Sequence, residues 1–149
     1  MSEGCPFDCT FCSVWKVHGR SINIASLANA QHDLLSLPTF VRAFFFADDI
    51  WMQANESQLK SLHDPLLEWI SSEFLPSHQN FWFTAETRTD VFLRQEARFQ
   101  LWAREGGLQR ILFGIEAVTD SQLDDFSKRT TVDINSLAIE KAANLGIFV

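Results

Sequence analysis

The stretch Phe81-Trp82-Phe83-Thr84-Ala85, followed by residues 91–105, Gly106-Gly107 and residues 110–115, decides the fold class. Its first five residues are short, apolar and aromatic, as in a strand buried within a sheet. Residues 91–105 read as a helix that Gly106-Gly107 can end through a left-handed cap, and residues 110–115 read as the next strand. Two strands joined through a helix lie parallel with a right-handed crossover, so the unit is α/β.

The pattern extends in both directions. Upstream, Leu27, Ala30, Gln31, Leu34 and Leu37 recur at helical spacing after Ser26, and Pro38 closes that segment. Residues 41–47 form a nearly continuous apolar run, as expected of a parallel strand covered on both faces. Asn55 with Gln58 makes a capping box ahead of a helix carrying Leu59, Leu62, Leu66, Leu67 and Ile70, with a kink expected at Pro65. Downstream, two helical pieces are expected at 120–126 and 133–145, with Gly146 as a stop, and Ile147-Phe148-Val149 begins another strand. A row of such units curves toward a barrel whose chemistry sits at the C-terminal ends of its strands. The row is incomplete at both ends, so the chain reads as a fragment.

With 149 residues, 46% hydrophobic and 21% charged, the sequence describes one folded domain or part of one, not a disordered tail. Twelve Lys plus Arg against nineteen Asp plus Glu give a net charge of -7, the wrong sign for gripping a phosphate backbone, so no nucleic-acid partner is expected. Fourteen Phe and five Trp without a single Tyr suit either a dry interior or an apolar pocket. Runs such as residues 43–47 are far too short to span a membrane, and Met1-Ser2-Glu3-Gly4 lacks the features of a secretory signal. The cytoplasm is the expected compartment, where cysteines serve as ligands or nucleophiles before disulfides.

All three cysteines lie in Cys5-Pro6-Phe7-Asp8-Cys9-Thr10-Phe11-Cys12, a C-x3-C-x2-C array. Three thiolates on one tight loop can hold three irons of a 4Fe-4S cluster, leaving the fourth iron open to an outside ligand. Two plainer readings stand beside it: zinc held by the same thiolates plus His18, and three unrelated buried cysteines.

The array, with aromatic Phe11 just before its third cysteine, resembles the hallmark of the radical S-adenosylmethionine (SAM) superfamily. The string from Gly4 through Cys12 to Ser13-Val14-Trp15 is similar to the subgroup associated with cobalamin-binding domains, as are Phe46-Ala47-Asp48-Asp49, Thr87-Arg88-Thr89-Asp90 and Phe113-Gly114-Ile115-Glu116. The resemblance implies that residues 1–149 form a partial radical SAM core, a (β/α)6 TIM-like barrel truncated at both ends. Its first strand and later strands would be missing. It implies a 4Fe-4S cluster on Cys5, Cys9 and Cys12 whose open iron takes SAM's amino and carboxylate groups. An electron from the cluster would then cleave SAM to a 5'-deoxyadenosyl radical for hydrogen abstraction or methyl transfer on a small-molecule substrate. An electron donor such as flavodoxin or ferredoxin and, in the intact parent, cobalamin are implied as well.

Further site residues follow from strand ends and from the same resemblance. Asp48 and Asp49 project at the catalytic rim, where relatives carry a stretch that holds SAM's ammonium group; a turn or cap is the plainer reading. Glu86 can accept from an ammonium or hydroxyl, and Arg88 can clamp a carboxylate, unless Arg88 simply pairs with Asp90 or Glu86. Glu116 falls where the family meets the SAM ribose, Lys128 or Arg129 where relatives often have a base for the SAM carboxylate, and Phe11 against the adenine. Phe7, Val14 and Trp15 would shield the cluster, with Lys16 and Arg20 offsetting charge. His32, His63 and His78 lack metal spacing and are expected at the surface. Two other functions are compatible with the sequence: a zinc-stabilised non-catalytic α/β module, and an inactive remnant kept as an interaction surface.

Overall fold

The structure is a computed structural model that describes residues 1–38, 40–78 and 80–149. β1 (Ser2–Glu3) pairs antiparallel with β2 (Asn23–Ile24), which closes the cysteine segment into a loop carrying one helical turn, α1 (Val14–Val17). The Ser26 hydroxyl accepts from the Asn29 amide and starts α2 (Leu27–Leu35). β3 (Ala43–Phe46) is shorter than the expected run 41–47.

Asn55 and Gln58 form both halves of the expected capping box and open a helical stretch, α3, over residues 56–77. Pro65 does not break it. The α-turns Glu56–Gln58, Asp64–Trp69 and Leu75–Ser77 are joined by π turns Leu59–His63 and Ile70–Phe74. Each π turn runs into a proline, Pro65 or Pro76. A proline has no amide to offer the carbonyl four residues back. The widened bonds, Asp64 to Leu59 and Leu75 to Ile70, shift the ladder by one residue just before each proline, and the helix continues through both.

β4 (Trp82–Thr87) leads into two helices rather than the single one expected over 91–105. α4 (Thr89–Arg94) and α5 (Glu96–Glu105) are separated at Gln95, whose φ of -111° and ψ of 20° leave the helical region. No Gly or Pro marks this break, and buried Phe92 and Phe99 meet across it with ring centroids 4.9 Å apart. Gly107 follows α5 at φ +83°, and a Cβ there would stand 3.1 Å from the Phe81 carbonyl oxygen. β5 (Leu108–Phe113) starts two residues before the expected strand. Thr119 and Thr131 cap α6 (Asp120–Asp125) and α7 (Val132–Asn144). Phe148 then makes an isolated parallel bridge to Arg110.

β3, β4 and β5 form a parallel sheet in that order, with Phe46 opposite Ala85 and Thr87 opposite Phe113. Among the described residues the sheet is open and does not close into a barrel. One face carries Phe46, Phe83, Ala85 and Ile111 into a single core shared with α2, α3, α4, α5 and α7. The other face is uncovered at Phe45 and Leu112, contrary to the two-sided burial expected from residues 41–47. Apolar composition alone does not distinguish a strand covered on both faces from one covered on a single face.

Trp51 is the hub of the core, with Phe46, Phe83, Phe99 and Trp102 packed around it at centroid distances of 5.2–6.1 Å. Full burial of such side chains contributes about 1.5–3 kcal/mol each. His63, expected at the surface, is instead buried edge-on against Trp51, with neither ring nitrogen hydrogen-bonded. Desolvation pushes its pKa from 6.5 down to about 4. Asp48 and Asp64 oppose that shift, and the N-terminal amine and Arg98 reinforce it.

A pH dependence follows. Below pH 6.5 the unfolded chain takes up a proton at His63 that the folded chain refuses until about pH 4. Stability therefore falls as pH drops through this window, by at most about 1.4 kcal/mol per pH unit from this group. Urea unfolding of wild type and His63→Phe between pH 7 and 4 should show a shallower loss in the variant. Equal slopes would contradict a neutral, buried His63.

Candidate cofactor-binding site

Parallel strands deliver the residues that follow them to one edge of the sheet. Asp49 arrives there from β3, Glu86 and Arg88 from β4, and Gly114 and Glu116 from β5. The cysteine loop folds over this edge. Cys5, Cys9, Cys12, Phe11, Asp49, Glu86, Arg88, Glu116 and Lys128 all line one cleft, which encloses about 530 Å³ of empty space counting its open mouth. Of the candidate site residues, Asp48 lies outside it, as do Trp15, Lys16, Arg20 and Arg129, the last paired with Asp8 at 2.7 Å.

Backbone and side-chain bonds fix the loop. The Cys12 amide donates to the Cys9 carbonyl at 3.1 Å, the Cys5 amide to Gly19 at 3.0 Å, and the Thr10 amide to Phe126 at 3.0 Å. Trp15 Nε1 donates to the Cys9 carbonyl at 3.2 Å, beneath the cations of Arg20 and Lys16, which lie 4.8 and 5.1 Å from the Trp15 ring. The three thiols are free, with Cys5 and Cys9 buried. Burial, reinforced by the neighbouring Cys9 and Cys12, pushes the Cys5 thiol up. A bare Cys5 thiolate is thus disfavoured here, and a bound metal centre would supply the missing positive charge. Among the described residues no group of three or more His, Cys, Asp or Glu side chains is placed to hold a single ion. A cluster makes no such demand, because each thiolate binds a different iron.

The two aspartates diverge. Asp48 turns inward, where Oδ1 meets the Met1 nitrogen at 2.6 Å and Oδ2 accepts from Ser2 Oγ at 2.7 Å. With both oxygens taken and the side chain buried, it does not present a carboxylate at the rim as the sequence suggested. Asp49 does reach the cleft. Its Oδ2 accepts from the Gly4 amide at 2.7 Å and is bonded to His18 Nδ1 at 2.7 Å. That bond raises the His18 pKa and engages the histidine considered above as a fourth zinc ligand.

Arg88 is buried and belongs to the wall of the cleft. Its Nε donates to Asp90 at 2.7 Å, its Nη2 donates to the Lys128 carbonyl at 2.7 Å, and its Cζ lies 3.7 Å from the Phe7 ring centroid. The plainer reading, an Arg88–Asp90 ion pair, is the one present. Lys128 is also buried and pairs with Glu116 Oε1 at 3.0 Å. Glu116 sits at φ +65°, and Gly114 leaves room for the pair: a Cβ there would come within 2.9 Å of both Glu116 Oε1 and Lys128 Nζ. Burial, with Glu116 and Asp49 nearby, holds the Glu86 carboxyl above the usual carboxylate range despite Lys128. Phe11 stands edge-on to Phe126 at 5.3 Å and is half exposed at the mouth.

Sequence reasoning did not foresee the Thr89–Asn135 contact. Thr89 Oγ1 donates to Asn135 Oδ1 at 2.7 Å, and Asn135 Nδ2 reaches the Ile115 carbonyl at 3.4 Å, tying α7 to the segment that carries Glu116. Nothing in the local pattern announces so distant a pairing.

No protein-family model matches the chain. In sequence it is 34% identical, over its whole length, to hopanoid C-3 methylase of Methylococcus capsulatus. It is 27% identical, over 99% of its length, to anaerobic magnesium-protoporphyrin IX monomethyl ester cyclase of Rubrivivax gelatinosus. It covers 27% and 25% of these proteins, so the chain spans about a quarter of the length of the curated relatives it matches. In structure, 99% of the chain superposes on 22% of the cobalamin-dependent S-adenosylmethionine radical enzyme OxsB, solved with aqua-cobalamin and S-adenosylmethionine bound, with a TM-score of 0.80 at 21% identity. The likeness to OxsB is one of fold and extends over nearly the whole chain. Among the described residues no helix is long and apolar enough to cross a membrane.

Arg88 joins the cysteine loop, β4 and the Lys128 segment, so its loss should be felt by the whole edge. Arg88→Ala is expected to lower stability by about 2–3 kcal/mol in urea unfolding. Arg88→Lys should rescue little, because an ammonium cannot span Asp90 and the Lys128 carbonyl in the same fork. An unchanged midpoint in Arg88→Ala would contradict this role.

Proposed function

We propose that this chain is the core part of a radical SAM enzyme, an arc of a (β/α)6 barrel that holds a 4Fe-4S cluster on Cys5, Cys9 and Cys12 and binds SAM in the adjoining cleft. One observation carries the reading: three free thiols on one loop share a single cleft with Asp49, Glu86, Glu116, Lys128 and Phe11 at the C-terminal edge of a parallel sheet. The donor set fits a cluster with one open iron. When bound, the cluster supplies the electron that cleaves SAM reductively, the step that precedes hydrogen abstraction or methyl transfer.

The chain's own residues bind and orient. Asp49 offers a carboxylate oxygen to the SAM ammonium group, and Glu116 accepts from the ribose hydroxyls. Lys128, paired with Glu116 at the cleft wall, would meet the SAM carboxylate and keeps the facing acids from repelling one another. Glu86, whose carboxyl is held above the usual range by burial, offers an acceptor at the cleft wall. Phe11 offers a face to the adenine, while Phe7 and Val14 keep water from the thiols. Arg88 is assigned to the wall and Asp48 to anchoring the first strand. Cobalamin in the intact protein, a flavodoxin- or ferredoxin-type electron donor and a small-molecule substrate complete the proposal. The relatives named as a methylase and a cyclase support a carbon-centred reaction.

Oxygen-free reconstitution with iron and sulfide tests the metal assignment. The expected product carries about four irons and four acid-labile sulfides per chain. Cys5→Ala, Cys9→Ala and Cys12→Ala should each lose them. Zinc retained without sulfide would contradict the assignment. On the loaded protein, Glu116→Gln should weaken SAM binding about tenfold, in line with the loss of charged hydrogen bonds, while leaving the iron content unchanged.

A further inference from the structure

We propose that His18 is a positioning residue that, through Asp49, locks the two ends of the cysteine loop together and leaves the second oxygen of that carboxylate facing the cleft. Gly4 immediately precedes Cys5, and His18 follows α1, the turn after Cys12. Both donate to the same atom, Asp49 Oδ2, at 2.7 Å, so one carboxylate oxygen at the end of β3 receives the beginning and the end of the loop. The adjacent Cys5 amide bonds to Gly19, the residue after His18, and completes the closure. Gly4 makes the approach possible. It stands at φ +100°, and a Cβ there would lie 2.0 Å from the Ser21 carbonyl oxygen, so only a glycine allows its amide to face Asp49 with the loop ends this close.

Bonding to a carboxylate requires His18 Nδ1 to carry a hydrogen. Asp49 Oδ1 takes no hydrogen bond among the described residues, and Asp49 lines the cleft. His18 itself is partly exposed, with 41% of its side chain accessible, whereas Asp49 is nearly buried at 11%. The histidine therefore acts from outside on a carboxylate facing inward. It restrains the rotation of Asp49 and reduces the freedom of the loop bearing three thiols, an entropy otherwise lost when a ligand organises them. The loop-closing role stands on this geometry alone. The presentation of Oδ1 to an ammonium group rests on the SAM reading above.

Amide hydrogen exchange and SAM binding on the 149-residue chain test the two parts separately. His18→Ala should speed exchange at the Gly4 and Cys5 amides about tenfold. His18→Asn, whose side-chain amide can donate from the place of Nδ1, should restore most of the protection. In the reconstituted protein His18→Ala should weaken SAM about tenfold at unchanged iron and sulfide content, and Asp49→Ala with His18→Ala should weaken it no more than Asp49→Ala alone. Unchanged exchange in His18→Ala, or His18→Asn no better than His18→Ala, overturns the proposal even if SAM binds normally. A wild-type chain that shows the exchange pattern but takes up no SAM upholds the loop closure and overturns the SAM reading instead.

Discussion

Two adjacent carboxylates at the end of β3 hold the cysteine loop against the sheet. Asp48 grips Ser2 and the Met1 nitrogen from within the fold, and Asp49 grips Gly4 and His18 from the rim. Neighbouring negative charges on one short segment repel unless each is neutralised, and here each meets its own donors. The three thiols share a cleft with the strand ends because of this anchorage. The loop's own apolar side chains Phe7, Val14 and Trp15 add packing against the core.

The second constraint is the dry aromatic core behind the sheet. The excess of Phe over Tyr suited either an interior or a pocket, and the structure decides mainly for the interior. Phe44, Phe46, Phe74, Phe81, Phe83, Phe92 and Phe99 pack in the core, whereas Phe7 and Phe11 alone of the phenylalanines line the cleft. Phenyl rings bring no hydroxyl that needs a partner, which suits a core centred on Trp51. His63 is the exception, a titratable ring kept neutral by burial among them.

Features set by local chemistry were legible in the sequence. The caps at Ser26 and Asn55, the strand-helix alternation and the left-handed stop at Gly107 depend on neighbours a few residues apart. The cysteine spacing and the positions just beyond strands located nearly the whole cleft. Asp48 and Asp49 could not be told apart, because the direction of a side chain after a strand depends on what packs beneath it. His18 lacked a partner in sequence because Asp49 lies thirty-one positions away. His63 stands four residues after Leu59 and three before Leu66, on the apolar face of the helix, and its burial was missed because residue type was weighed above that spacing. The break at Gln95 has no local signal at all.

The central claim is that three loop thiolates carry a cluster with one iron left for SAM. Electron paramagnetic resonance of the reduced, reconstituted chain, recorded with and without SAM, tests it most directly. The account predicts a cluster signal whose shape changes when SAM is added, and a smaller change in Asp49→Ala. A well-loaded cluster whose signal is indifferent to SAM would contradict it.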